Sequence, residues 1–140
     1  MNKNFISAEE FLKQNKKVQE TLIKWWKPQT GDLIYNTIFL VINYLDENYK
    51  EVSKTYKEFL IETNIPLLQM HQLIDFIEET TKKDLSHWRD IDDDEFTIYL
   101  TNKKLDGEYG GYTIINQQEF KEMGLNLLDA LWQVVIKIVE

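Results

Sequence analysis

Leu33-Ile34-Tyr35-Asn36-Thr37-Ile38-Phe39-Leu40-Val41-Ile42 decides how much of this chain is sheet and how much is helix. The run is rich in β-branched and aromatic residues, as strands are. Yet Ile38, Val41, Ile42, Leu45, Tyr49, Val52, Tyr56, Phe59 and Leu60 recur at three- and four-residue steps, which is the stripe of an amphipathic helix. The pattern predicts a strand at about 33–36 and a helix over about 38–62. The alternative is a strand that continues to Ile42 with a shorter helix after it.

Upstream, Pro28-Gln29-Thr30-Gly31-Asp32 has the composition of a turn. Before it lies a helix with a clear start. Ser7 caps it, Glu10 three residues on completes a capping box, and Ile6 with Phe11 forms the hydrophobic staple. Phe11, Val18, Leu22 and Trp25 continue at helical spacing. Gln14-Asn15-Lys16-Lys17 can divide this segment into two short helices, and Pro28 stops it at Trp26-Lys27. On a helix, adjacent tryptophans lie about 100° apart. Trp25, in line with Val18 and Leu22, is then the buried one, and Trp26 sits toward the edge of that face.

Downstream, Asn64-Ile65-Pro66 breaks the chain, and Leu67, Met70, Leu73, Ile74 and Ile77 trace another helix. After the acidic loop Asp90–Glu95, Phe96–Leu100 and Tyr112–Ile115 read as strands joined by a long hairpin tip that holds Asp106-Gly107 and Gly110-Gly111. The last helix spans about Asn126–Val139. It is apolar nearly all round, with Asp129, Gln133 and Lys137 as one thin polar stripe, so it is central or half of an oligomer interface. The expected fold is α+β: a helix-rich single domain over residues 1–140, with a small antiparallel sheet and a central, mostly apolar C-terminal helix.

Composition narrows the function. The chain has 140 residues and no cysteine, which removes disulfides, thiolate zinc sites and cysteine nucleophiles. No segment reaches the ~18 consecutive apolar residues of a membrane helix, and the start, MNKNFISAEEF, lacks the apolar core of a signal peptide. A cytoplasmic protein is expected. The net charge is −8. Residues 1–60 hold nine lysines and eight acidic residues, whereas residues 61–140 hold seven basic and sixteen acidic ones. That balance argues against direct binding of nucleic acid through a basic face.

Reactive groups are sparse. His71 and His87 have no second histidine or cysteine at ligand spacing. Counted from Asp90, the acidic run has Glu95 and Thr101 where an EF-hand loop needs glycine and glutamate. Neither a metal nor a cofactor is expected. The candidate interaction residues are Trp26 and Lys27, an aromatic beside a cation, and the acidic run Asp90, Asp92, Asp93, Asp94 and Glu95, suited to a basic partner.

Trp25-Trp26-Lys27-Pro28 with Gly31-Asp32-Leu33, Pro66-Leu67-Leu68 with Gln72-Leu73 and Phe76-Ile77-Glu78, and Leu128-Asp129-Ala130-Leu131-Trp132-Gln133-Val134 resemble stretches of small uncharacterised proteins encoded by phages and prophages of low-GC Gram-positive bacteria. The resemblance covers the N-terminal third, the middle helix and the last helix. It implies an accessory protein in the host cytoplasm and carries over no functional residue. The expected function is non-catalytic: binding a host protein or sequestering a small ligand, as an anti-defence inhibitor does. The rivals are a small carboxylate-dependent enzyme using Asp92, Asp93 and Glu95, and a structural protein that forms homo-oligomers.

Overall fold

The computed structural model describes residues 4–89, 94–105 and 110–140. The fold is α+β, as expected from the sequence, with two three-stranded antiparallel sheets where one was anticipated. By its contacts the chain divides into two compact units, residues 1–69 with 139–140, and residues 70–138.

The first unit opens with α1 (Ala8–Leu12) and α2 (Lys16–Trp25). Ser7 Oγ accepts from the Glu10 N–H at 3.1 Å, and Asn15 Oδ1 accepts from the Val18 N–H at 3.0 Å. Each side chain caps the exposed donors of a new helix, and Asn15 thereby splits the predicted segment in two. Ile6 and Phe11 are both buried.

The segment that followed the helical stripe is not one helix. Leu33–Asn36 forms β1 and Val41–Tyr44 forms β2, paired as a hairpin from Leu33↔Tyr44 to Asn36↔Val41. A 3-10 helix (Glu47–Glu51) and α3 (Lys54–Thr63) come after it. The physical reason is local side-chain competition for backbone donors. Asn36 Oδ1 accepts from the N–H groups of Ile38 and Phe39, at 2.9 and 2.8 Å, which folds Thr37–Leu40 into a turn. Asp46 and Ser53 then cap the 3-10 helix and α3, so three short elements replace the long one. Asn64–Pro66 forms β3, which pairs with β1 from Ile34↔Pro66 to Asn36↔Asn64. The sheet order is β2-β1-β3. Pro66 is tolerated because β3 is an edge strand.

In the second unit α4 (Met70–Thr81) buries Leu73, Phe76 and Ile77. The second sheet has the order β4-β5-β6, from β4 (Asp84–Arg89), β5 (Phe96–Leu105) and β6 (Tyr112–Phe120). Its central strand buries Ile98 and Leu100, and the pairing of β5 with β6 shifts register between Leu100 and Asn102. α5 (Leu127–Val139) starts where Asn126 Oδ1 accepts from the Asp129 N–H at 2.8 Å. Leu131, Val134 and Val135 are fully buried, and Gln133 and Lys137 of the polar stripe are exposed. Among the described residues no helix is long and apolar enough to cross a membrane.

Candidate binding cleft on the first sheet

The core of the first unit is built on Trp26, Ile34, Leu45 and Leu60, with Trp25, Tyr49 and Ile61 packed against it. Trp26 belongs to that core and not to an edge. α2 ends at Trp25, and Trp26 takes an extended backbone (φ −62°, ψ 121°), so helical spacing no longer governs its direction. It is 3% exposed, and its Nε1 donates to Asp32 Oδ2 at 3.0 Å. The same carboxylate oxygen accepts from the Gln29 N–H at 3.0 Å. One buried acid thus joins the helix end to the Pro28–Asp32 turn. Trp26 is thus the buried member of the pair and Trp25 the half-buried one, the reverse of the order that helical spacing predicts.

Lys27, beside it, is exposed. In the second unit, Asp94 is exposed and Glu95 half-buried, while Asp90, Asp92 and Asp93 lie outside the described residues. His71 and His87 are exposed, and the His87 ring meets Phe96 edge-on at 5.9 Å. Among the described residues no three His, Asp or Glu side chains converge on a point that would hold a metal.

A cleft of about 460 Å³ opens on one face of the first sheet. β1 and β2 supply Asn36 and Asn43, α3 supplies Tyr56, the 3-10 helix supplies Tyr49, and β3 supplies Asn64. Alternation along the strands selects these residues: Asn36↔Asn64, Asn36↔Val41 and Ile34↔Asn43 are cross-strand pairs on one face.

Asn64 is 6% exposed and is held firmly. Its Nδ2 donates to Leu60 O at 2.9 Å and to Thr63 Oγ1 at 3.2 Å. Its Oδ1 is buried with no hydrogen-bond partner among the described residues. A buried acceptor left unsatisfied costs about 1–3 kcal/mol, and Asn64, a residue of the cleft wall, carries one.

Tyr49 also lines a neighbouring hollow of about 490 Å³ with Thr30, Lys50 and Lys57. Lys57 Nζ stands 5.0 Å from the Tyr49 ring centre. Burial, and then the negative charge of Asp32, raise the Tyr49 phenol above its usual pKa of 10. Near neutral pH it remains a hydrogen-bond donor. The cleft therefore offers amides, phenols, aliphatic walls and the Asp46 carboxylate, with two lysines in the adjoining hollow.

The helical spacing of residues 38–60 conceals this face in the sequence, because β2 lies within that stripe. No protein-family model, curated protein or solved structure matches the chain.

Proposed function

We propose that this chain is a non-catalytic binding protein that sequesters a small ligand in the cleft of its first sheet. The supporting observation is the buried, unsatisfied Asn64 Oδ1 among aromatic and amide side chains. Those side chains stack and hydrogen-bond, which is the chemistry of recognition. The ligand this chemistry fits is a planar heteroaromatic with an N–H donor for Asn64, carrying an anionic group within reach of Lys50 and Lys57. The resemblance to phage and prophage proteins supports the same reading: such a protein would work in a host cytoplasm by depleting a molecule that host defence needs.

Titration calorimetry with nucleoside monophosphates and with the matching free nucleosides tests the proposal. Binding of the monophosphates is expected, weakened by Asn64→Leu and by Lys50→Glu with Lys57→Glu. Loss of the phosphate should mimic the lysine changes. Absence of binding across the panel, or binding indifferent to all three positions, would overturn it.

A further inference from the structure

Among the described residues no strand pairs with the outer edge of β2. β2 is the terminal strand of its sheet, and all four of its residues are exposed. The hydrogen-bond phase of the hairpin shows which backbone groups face out. The Leu45 N–H donates to Asp32 O at 3.0 Å, and Leu45 O accepts from the Gly31 N–H. Leu45 thus turns its backbone toward β1, and by alternation so do Asn43 and Val41, leaving Ile42 and Tyr44 to direct theirs away from the sheet. The Tyr44 N–H is already taken by Asn43 Oδ1 at 2.9 Å. The outward donor of β2 that remains is the Ile42 N–H.

Natural edge strands are shielded by lysines, prolines or inward charges. This one has none of them: residues 33–45 contain no charged residue and no proline. The surface beside it is largely apolar, and the charged residues that share a hollow with Ile42, Glu9 and Lys13, neutralise each other as an ion pair at 3.6 Å. Ile38, Phe39, Leu40, Val41, Ile42 and Tyr44 are all exposed, Phe39 at 75% and Leu40 at 67%. Leu40 holds φ at 57°, where a non-glycine residue costs about 1–2 kcal/mol. Its N–H donates to Asn36 O at 2.9 Å, so this left-handed residue closes the hairpin turn and leaves its side chain exposed beside the edge.

We infer that β2 pairs with β2 of a second copy of this chain, antiparallel across a two-fold axis at Ile42, joining two three-stranded sheets into one of six strands. Three observations choose this occupant. An isologous contact sets a patch against itself, so in a chain of net charge −8 the neutral stretch 33–45 is where two copies meet without repulsion. A stable association covers about 800 Å² on each partner, and a covered Phe or Tyr contributes about 150–250 Å², so Phe39 and Tyr44 with four aliphatic neighbours reach that order.

The third is the register. Paired residues must share a sheet face, and the Ile42 N–H is the outward donor without an internal partner, which centres the ladder on Ile42↔Ile42. Val41 then faces the partner's Asn43 on the side of the sheet that carries the cleft, so the second copy extends the cleft wall. The pairing does not depend on which ligand the cleft takes.

Sedimentation equilibrium of the wild-type chain, Ile42→Lys and Ile42→Pro at up to about 100 μM tests this directly, since affinities in that range are read by mass action. A dimer is expected for the wild type. Ile42→Lys sets two ammonium groups face to face, and Ile42→Pro deletes the outward N–H while sparing the hairpin bonds; each is expected to weaken association roughly tenfold or more, with an unchanged circular dichroism spectrum. Because the chain has no cysteine, Ile42→Cys should give one disulfide-linked dimer on mild oxidation. Trp88→Lys, on β4 of the other sheet, should leave the dimer intact. A monomeric wild type, or a dimer indifferent to both substitutions whose Cys variant does not cross-link, would overturn the inference. If Lys and Pro both disturb the fold, the cross-link decides.

Discussion

The two sheets have the same size and the same antiparallel order, yet their edges differ. In the first, β2 offers a neutral, apolar edge with an exposed leucine at positive φ beside it. In the second, β4 carries Asp84, His87 and Arg89, and Arg89 lies 5.8 Å from the Phe96 ring. β6 departs from regular pairing near Asn116, which has φ 52°. Charge and irregularity are the usual protection of a sheet edge. The contrast teaches that exposure alone marks nothing: Trp88 is as exposed as Ile42, but it sits on an edge strand that carries charge.

The largest effects belong to the buried centre of the second sheet and to its helix. Leu100→Ala and Leu131→Ala, at fully buried positions, should each cost about 2–5 kcal/mol through lost contacts and the cavity left behind. Ile42→Ala, measured at a concentration where the chain is monomeric, should cost less than about 0.5 kcal/mol. Urea unfolding of the three variants checks the ordering. Equal costs would mean that the β2 edge is held by its own unit, and the contrast between the sheets would fail.

Next in size is the anchor beneath the open edge. Trp26→Phe keeps an aromatic side chain but removes the indole donor to Asp32 and part of the buried volume, leaving a buried carboxylate with fewer partners. A loss of about 1–3 kcal/mol is expected by thermal or urea unfolding. No measurable loss would suggest that the first unit is loosely packed throughout, and its apolar edge would then need no second copy to explain it. Ser7→Ala should cost about 0.5–2 kcal/mol by uncovering the Glu10 N–H, which shows by the same measurement whether α1 stabilises this unit.

What was legible in the sequence was whatever depended on local chemistry. Ser7 with Glu10, the short strand at 33–36 and the apolar circumference of the last helix all follow from neighbours three or four residues apart, and all are present. What was not legible needed a partner strand. β4 has no buried face to give it a period and is defined by its backbone pairing with β5 from Asp84↔Thr101 to Arg89↔Phe96. β3 looked like a break because its proline sits on an edge. The hairpin was hidden because Val41 and Ile42 fall on a helical stripe by coincidence of spacing, while Asn36 had already spent its side chain on a turn. The cleft was invisible for the same reason, since its asparagines come from three strands and a helix that no local pattern joins.

The smallest expected effect concerns pH. The Tyr49 phenol is raised by burial and by Asp32, so the folded chain holds its proton to higher pH than the unfolded chain does. The corresponding stability is full below the unfolded pKa of about 10 and is lost as pH rises through the folded value. Unfolding between about pH 9 and 11 should therefore show a decline that is shallower in Tyr49→Phe. An identical slope in both proteins would place Tyr49 in a more solvated setting than the wall of the cleft.

The central claim is that the open edge of β2 is filled by another copy of the chain. Amide hydrogen exchange at Ile42, followed at low and at high protein concentration, tests it most directly. Within one chain the Ile42 N–H points outward from the sheet, and Asn43, the next residue, points inward to β1. Slow exchange at Asn43 under both conditions is predicted, with exchange at Ile42 fast when dilute and slowed when concentrated. An Ile42 amide that exchanges at the same fast rate at every concentration would contradict it.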